Sequence, residues 1–396
     1  MRFLILNTDY PEFLGWLYAQ NPGLENAPYD EQMQARLESL LGVADFYSSN
    51  LRKLGHEAWD IYANNEFMQK AWAREHEVLS WESAAVSPWW PEALQAAKHM
   101  GAKIPLSGLK SWVRPLLRFI NSRPAWFYDI LAAQIKHYKP DVLLNQDIEI
   151  STRFLREMKP CIGLLIGQHA ATQPPDSEDW SCYDMVISSF PPMVEFFRQR
   201  GVRSELHRLC FEPKVLSHLT AGERIFEVTF VGSFHSVHSS RTALLEALCV
   251  QFPQLRIWGP GINSLSPNSS IRKCYMGQAW GREMYQILYR SKLVLNHHGD
   301  IGPYANNLRL YEATGVGCLL MTDWKKNLNE MFEPDREVAV YRNPQECAEL
   351  IEYYLEHEEE RAAIARAGQQ RTLREHTYYH RVNELVDIVQ KYLCRC

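Results

Sequence analysis

Short apolar runs, each released into a polar loop and followed by an amphipathic stretch, recur along this 396-residue chain. The first is FLILN, Phe3 to Asn7. It passes through a polar loop, TDYPEFLGW, into an amphipathic stretch from roughly Tyr29 to Leu54. A glycine stop and a second strand follow in LGHEAWDIY. Strand, helix, strand is the order of a parallel sheet, because parallel neighbours need a long crossover that is usually a helix. The order resumes with a helix from about Trp126, then DVLLN (Asp141 to Asn145), a helix near Thr152 to Met158, CIGLLIG and DMVIS. PPMVEFFRQRGV reads as a helix with proline at its start and Gly201 at its end, and a short strand near Glu205 to Leu209 closes the series.

A linker-like stretch, LCFEPKVLSHLTAGERI, separates this from a second series. That series runs EVTFVGS, helix Arg241 to Val250, LRIWG, helix Glu283 to Tyr289, LVLN, CLLMT, VAVY and a helix from Pro344. The chain is too long for one comfortable core. The expectation is therefore two Rossmann-like parallel-sheet domains, residues 1–215 and 216–376. A helical insertion at about 64–121 carries Trp72, Trp81, Trp89, Trp90 and Trp112; it reads either as packing between helices or as an acceptor-binding surface. The C-terminal stretch reads as two helices broken near His376 to Tyr378, with residues 377–396 packing back on the first domain.

Composition removes several classes. With 46% hydrophobic and 22% charged residues the chain carries no sign of disorder, and a formal charge of -5 argues against a nucleic-acid binder working through a general basic field. Its nine cysteines are scattered without a C-x-x-C pair, so neither a disulfide framework nor a zinc knuckle fits. The apolar run in MRFLILNTDY is too short for a signal peptide, and no stretch reaches the length of a membrane span. The expectation is a cytoplasmic protein with reduced thiols.

In open α/β sheets ligands bind beyond the carboxyl ends of the strands, so the loops there hold the candidates. In VGSFHSVHSSR, Gly232 allows close backbone approach, Ser233 adds a hydroxyl, the next helix offers its first amides and Arg241 its charge to a phosphate. A plain tight turn is the structural alternative. The histidine pairs His235/His238 and His297/His298 lack a zinc-site spacing, and no metal is expected. After LVLNHHGD, the segment NNLRLYEATGVGCLLMTD places Arg309 and Glu312 three residues apart on one helical face. Asn306 or Asn307 is expected to cap that helix. Arginine at a helix N-terminus is electrostatically unfavourable; a bound anion would offset this, and a surface salt pair is the structural alternative. Glu312 could accept two hydrogen bonds from a ribose diol.

The segment NNLRLYEATGVGCLLMTDW resembles the C-terminal motif of the group 1 glycosyltransferases of GT-B fold, nearest the spore-maturation-type branch. EVTFVGSFHSVHSSR, LRIWGPG, YMGQAWGREMYQILYRSKLVLNHHGD and YLEHEEERAAIARAGQQRTLREHTYYHR occur in the matching order, over residues 205–393. The resemblance implies a sugar transfer from a nucleotide-sugar co-substrate, of UDP or GDP type, in a cleft between the domains, with no other cofactor. The acceptor is then a sugar, lipid, protein or small molecule. Glu312 matches the ribose-binding glutamate, Gly232 and Ser233 the diphosphate loop, Gly277 to Trp280 the base region, and His169 a histidine near the donor sugar. His298, Tyr304, Asn306 and Asn307 complete the donor set. Where many relatives carry a first glutamate, this chain has Tyr304, and the usual arginine–lysine pair is replaced by Arg241 and Arg309. Retention without a metal is implied; under inversion Asp9 becomes the candidate base, with a turn residue as its structural reading. An epimerase or phosphorylase on the same fold and a non-catalytic nucleotide-sugar-binding protein are the alternatives.

Overall fold

The computed structural model describes residues 1–78, 123–171, 179–234 and 238–393. Most of the tryptophan-rich insertion, with Trp81, Trp89, Trp90 and Trp112, lies outside the described residues, as does His235. The described residues form two six-stranded sheets.

The first sheet contains β1 (Arg2–Asn7), β2 (Glu57–Tyr62), β3 (Val142–Asn145), β4 (Leu164–Gln168), β5 (Met185–Ser188) and β6 (Ser204–Leu206), in the order β2-β1-β3-β4-β5-β6. The second contains β7 (Phe226–Val231), β8 (Leu255–Trp258), β9 (Tyr275–Gly277), β10 (Ser291–Asn296), β11 (Leu319–Asp323) and β12 (Ala339–Tyr341), in the order β12-β11-β10-β7-β8-β9. The pairings β1–β2, β1–β3, β10–β7 and β10–β11 are parallel. Strands covered on both faces should read as apolar runs rather than alternations; Phe3 to Leu6 and Leu293 to Leu295 are accordingly buried at every position.

By packing, the chain forms two compact units. One comprises Met1–Ala35, His56–Gln168 and Asp176–Asp184, the other Arg36–Gly55, His169–Pro175 and Met185–Cys396. In the first unit, Asp9 and Asn64 hold each other: the Asp9 amide donates to Asn64 Oδ1 at 2.8 Å and Asn64 Nδ2 donates to the Asp9 carbonyl at 2.7 Å. In the second unit, the helix Tyr378–Leu393 packs on the helix Phe46–Lys53, with the Tyr378 ring 5.1 Å from Phe46 and 5.2 Å from Tyr47. The core of the second sheet gathers Val228, Leu255, Leu293, Leu319 and Ala339 under Leu245, Leu248 and Ile351 from flanking helices.

Three local readings are corrected. TDYPEFLGW is not a loop: Pro11–Gln20 is a helix, with proline in its first turn where no amide partner is needed. The stretch 29–54 is two helices, Tyr29–Glu38 and Phe46–Lys53, separated by left-handed residues at Leu40, Gly42 and Ala44. The strand β9 falls on Tyr275–Gly277, a segment with no apolar run to announce it. Among the described residues no helix is long and apolar enough to cross a membrane.

Candidate functional site

The site gathers at the carboxyl ends of β7, β10 and β11, whose central pairing brings their exit loops side by side. At β7 the backbone after Val231 is pressed against the loop after β8. A Cβ built on Gly259 would lie 1.9 Å from the Gly232 carbonyl oxygen, and the Gly232 amide donates to Trp258 O at 2.9 Å. Only glycine fits so close a backbone contact.

Two guanidiniums flank Gly232. Arg309 Nη2 donates to Val231 O at 3.1 Å, and Arg241 Nη1 donates to Ser233 O at 3.2 Å. Arg241, from the helix Ser239–Gln251, is buried; its Nε donates to His297 O at 3.0 Å. Burial pulls its pKa down to about 10, with the Asp323 carboxylate opposing and Arg309 reinforcing the shift. It stays cationic at neutral pH.

Arg309 opens the helix Arg309–Gly315, and its Nη1 stands 2.7 Å from Glu312 Oε2 across one turn. Both side chains are largely withdrawn from water, so this is not a solvated surface pair. The phenol of Tyr285 donates to the other oxygen, Glu312 Oε1, at 3.4 Å, and burial followed by the Glu312 charge keeps that phenol protonated. The sulfur of Met284 lies 3.3 Å from both terminal nitrogens of Arg309. Each carboxylate oxygen retains an acceptor lone pair.

Asn306 and Asn307 do not cap this helix. Leu308 occupies the cap position and no side-chain cap bond forms. Asn307 Nδ2 donates instead to Asn296 Oδ1 at 2.7 Å, and Asn296 Nδ2 to Thr322 Oγ1 at 2.9 Å. Asn306 Nδ2 donates to Ala170 O at 2.6 Å and its Oδ1 accepts from Ser189 Oγ at 2.6 Å. His169, adjacent to Ala170, is buried, with its ring 6.3 Å from that of Phe197. The asparagines therefore act as cross-links between loops rather than as caps.

The adjacent histidines differ. His297 Nδ1 is 3.1 Å from the Tyr341 hydroxyl and its Nε2 3.1 Å from Ser240 Oγ, so both nitrogens are engaged. His298 Nδ1 lies 2.7 Å from Asp323 Oδ1. That carboxylate is held far below the usual range against the cost of its burial, by the His298 hydrogen bond and the neighbouring histidine and lysine charges. Asp300 binds the first turn of the Ser239–Gln251 helix: it accepts from Ser239 Oγ at 2.7 Å and from the Ser240 amide at 3.1 Å. The anion-binding end of that helix thus already faces a carboxylate.

The remaining candidates lie outside this cluster's bonds. Gly277 adopts φ +115° and its carbonyl accepts from the Gly259 amide at 3.0 Å. Trp280 is buried, its indole donating to Gln278 Oε1 at 3.2 Å. The Tyr304 ring meets Phe190 edge-on at 6.1 Å. Asp9 belongs to the first compact unit. Tyr285, Asp300 and Asp323 were not anticipated. Only Asp323 left a signal: it ends the strand of MTD directly beside the strand that ends at Asn296.

Residues 241–387 match a family model described as glycosyl transferase-like. Curated protein sequences gave no match. Among solved structures, HepE from Anabaena in complex with UDP-glucose is similar over 99% of this chain and 100% of its own, at TM-score 0.56 and 13% identity. A glycosyltransferase from Rickettsia africae ESF-5 matches over 99% and 98%, at TM-score 0.57 and 10% identity. Sucrose-phosphate synthase from Thermosynechococcus elongatus matches over 100% of both chains, at TM-score 0.54 and 11% identity. The two-sheet fold is thus shared with these solved structures of GT-B type, and the matched segment covers the second sheet from its first flanking helix onward.

Proposed function

We propose that the chain transfers a sugar from a nucleoside-diphosphate donor, of uridine or guanosine type, to an acceptor hydroxyl, with retention and without a metal. The observation that carries this reading is the Glu312 carboxylate, withdrawn from water at the end of the sheet and gripped by Arg309 and Tyr285. A carboxylate so fixed has its remaining lone pairs aimed by its partners, which suits a vicinal diol such as ribose. Arg241 and Arg309, on the carbonyls either side of Gly232, concentrate positive charge where a diphosphate would lie. Gly277 and Trp280 are assigned to the base, and His169, His298, Tyr304, Asn306 and Asn307 to the sugar and phosphates.

On this reading the bond between the anomeric carbon and the β-phosphate oxygen breaks, and its electrons leave with the diphosphate. The acceptor oxygen bonds to the same face, and its proton passes to the departing phosphate. The two guanidiniums stabilise the developing negative charge, the largest service available to such a transition state. HepE, with which the fold is shared, was solved with UDP-glucose, so uridine leads among the donors. The order of motifs over residues 205–393 favours the spore-maturation-type branch.

The test is turnover. The chain is incubated with UDP-glucose, then with GDP-, dTDP-, CMP- and ADP-sugars, and release of nucleoside diphosphate is followed. The product's anomeric configuration is read by proton NMR. Release from one donor with retained configuration is expected. No release from any donor contradicts the assignment of activity, and an inverted product overturns retention.

A further inference from the structure

His298 is almost wholly buried, and among the described residues its Nε2 has no hydrogen-bond partner. Its neighbour His297 satisfies both ring nitrogens within the protein, so the difference is specific to one ring. The other edge of His298 is fixed with unusual care. Asp323 Oδ1 accepts from the His298 amide at 3.0 Å and stands 2.7 Å from Nδ1. The second carboxylate oxygen, Oδ2, is held by Lys325 Nζ at 3.1 Å. An ionised carboxylate only accepts, so Nδ1 carries the proton and Nε2 is the nitrogen left over.

Buried nitrogens without partners are rare and call for an explanation. Here the ring lies just beyond the carboxyl end of β10, its carboxylate ends β11, and the segment 297–308 that follows carries no helix or strand. Asn307 Oδ1 in this segment and Arg309 Nε, at the start of the helix after it, are also buried without partners among the described residues. Three unfilled polar atoms thus fall within residues 298–309, which follow β10.

We propose that His298 Nε2 is a ligand-binding nitrogen of the donor-phosphate site and that Asp323, braced by Lys325, is the positioning residue that fixes its tautomer and direction. This rests on the nucleotide-sugar reading above. With Nδ1 directed at Asp323, Nε2 is the ring atom presented to a phosphate oxygen, to which an Nε2–H donates. The same Asp323 carboxylate also meets the charges of His297 and Lys325.

The experiment combines UDP titration by calorimetry with 15N NMR of histidine-labelled chain. In the unaltered protein, UDP is expected to shift the Nε2 resonance of His298 while Nδ1 remains protonated. Asp323→Asn and His298→Ala are expected to weaken UDP binding roughly ten- to a hundredfold, as for a lost hydrogen bond to a charged group. His298→Gln, which keeps an amide nitrogen near Nε2, should lose less. Equal UDP affinity in all variants, or an unmoved Nε2 resonance in a chain that binds UDP, overturns the proposal alone. Failure of the unaltered chain to bind either UDP or GDP overturns the donor reading and this proposal with it. The NMR arm uses no substitution and therefore stands where a variant does not fold.

Discussion

At the scale of single residues, the site depends on places where no side chain fits and on places where charge is boxed in. Gly281 shows the first kind. It adopts φ +47°, and a Cβ there would lie 1.9 Å from the Ser39 carbonyl oxygen, which itself accepts from the Arg282 amide at 2.7 Å. Gly281→Ala therefore combines a left-handed penalty with a backbone clash that cannot relax at a side-chain tip. A loss of roughly 2–4 kcal/mol in unfolding free energy is expected by urea titration; a change within about 0.5 kcal/mol, typical of neutral surface sites, would show that the contact yields. Arg309 shows the second kind. The sequence placed it in a first helical turn where its charge is disfavoured, and expected an anion to compensate. The chain's own Glu312 supplies part of that compensation. What spacing could show was the i,i+3 pairing; what it could not show was Tyr285, twenty-seven residues earlier in the chain, donating to the same carboxylate.

At the scale of elements, most strands were legible and the break inside the stretch 29–54 was not. Apolar runs announced β1, β3, β5, β7, β10 and β11, because strands buried on both faces must be apolar throughout. Helix breaks need only a few residues of unusual backbone, as at Leu40, Gly42 and Ala44, and leave little trace in periodicity. The break between the helices Glu358–Glu375 and Tyr378–Leu393 was legible near His376 to Tyr378, and it contains a titratable device. His376 Nε2 donates to Met331 O at 2.8 Å, and its Nδ1 accepts from Arg381 Nη2 at 2.9 Å. Burial, with Arg381 reinforcing and the Met331 carbonyl opposing, lowers its pKa to about 4; burial and Arg381 lower that of His207 to about 3. Both folded values lie below the unfolded value near 6.5. The unfolded chain therefore binds more protons between them, so stability is full above about pH 6.5 and falls as pH drops towards 4. At pH 5 each histidine should cost about 2 kcal/mol relative to pH 7.5. The urea midpoint should fall across that interval, before carboxylates titrate, and fall less in His376→Gln. An unchanged midpoint in the unaltered chain would mean that these rings are not held neutral.

At the scale of the whole molecule, each half of the chain supplies strands to one parallel sheet, and Gly232, Arg309, Glu312 and His298 lie about the exits of central strands in the second. The ordering of motifs in residues 205–393 made that half legible, since loops after strands are fixed by topology. The network binding those loops to one another was not legible, because Asn306–Ser189 and His298–Asp323 join residues far apart in sequence. The account's central claim is that Glu312 reads a ribose diol. Its most direct test is the ratio of dissociation constants for 2′-deoxy-UDP and UDP, measured by calorimetry in the unaltered chain and in Glu312→Gln. A carboxylate accepting from both hydroxyls predicts that UDP binds roughly tenfold or more tightly than its 2′-deoxy form, and that this preference collapses in the variant. Equal affinities in the unaltered chain, or a preference that survives the substitution, would contradict the assignment.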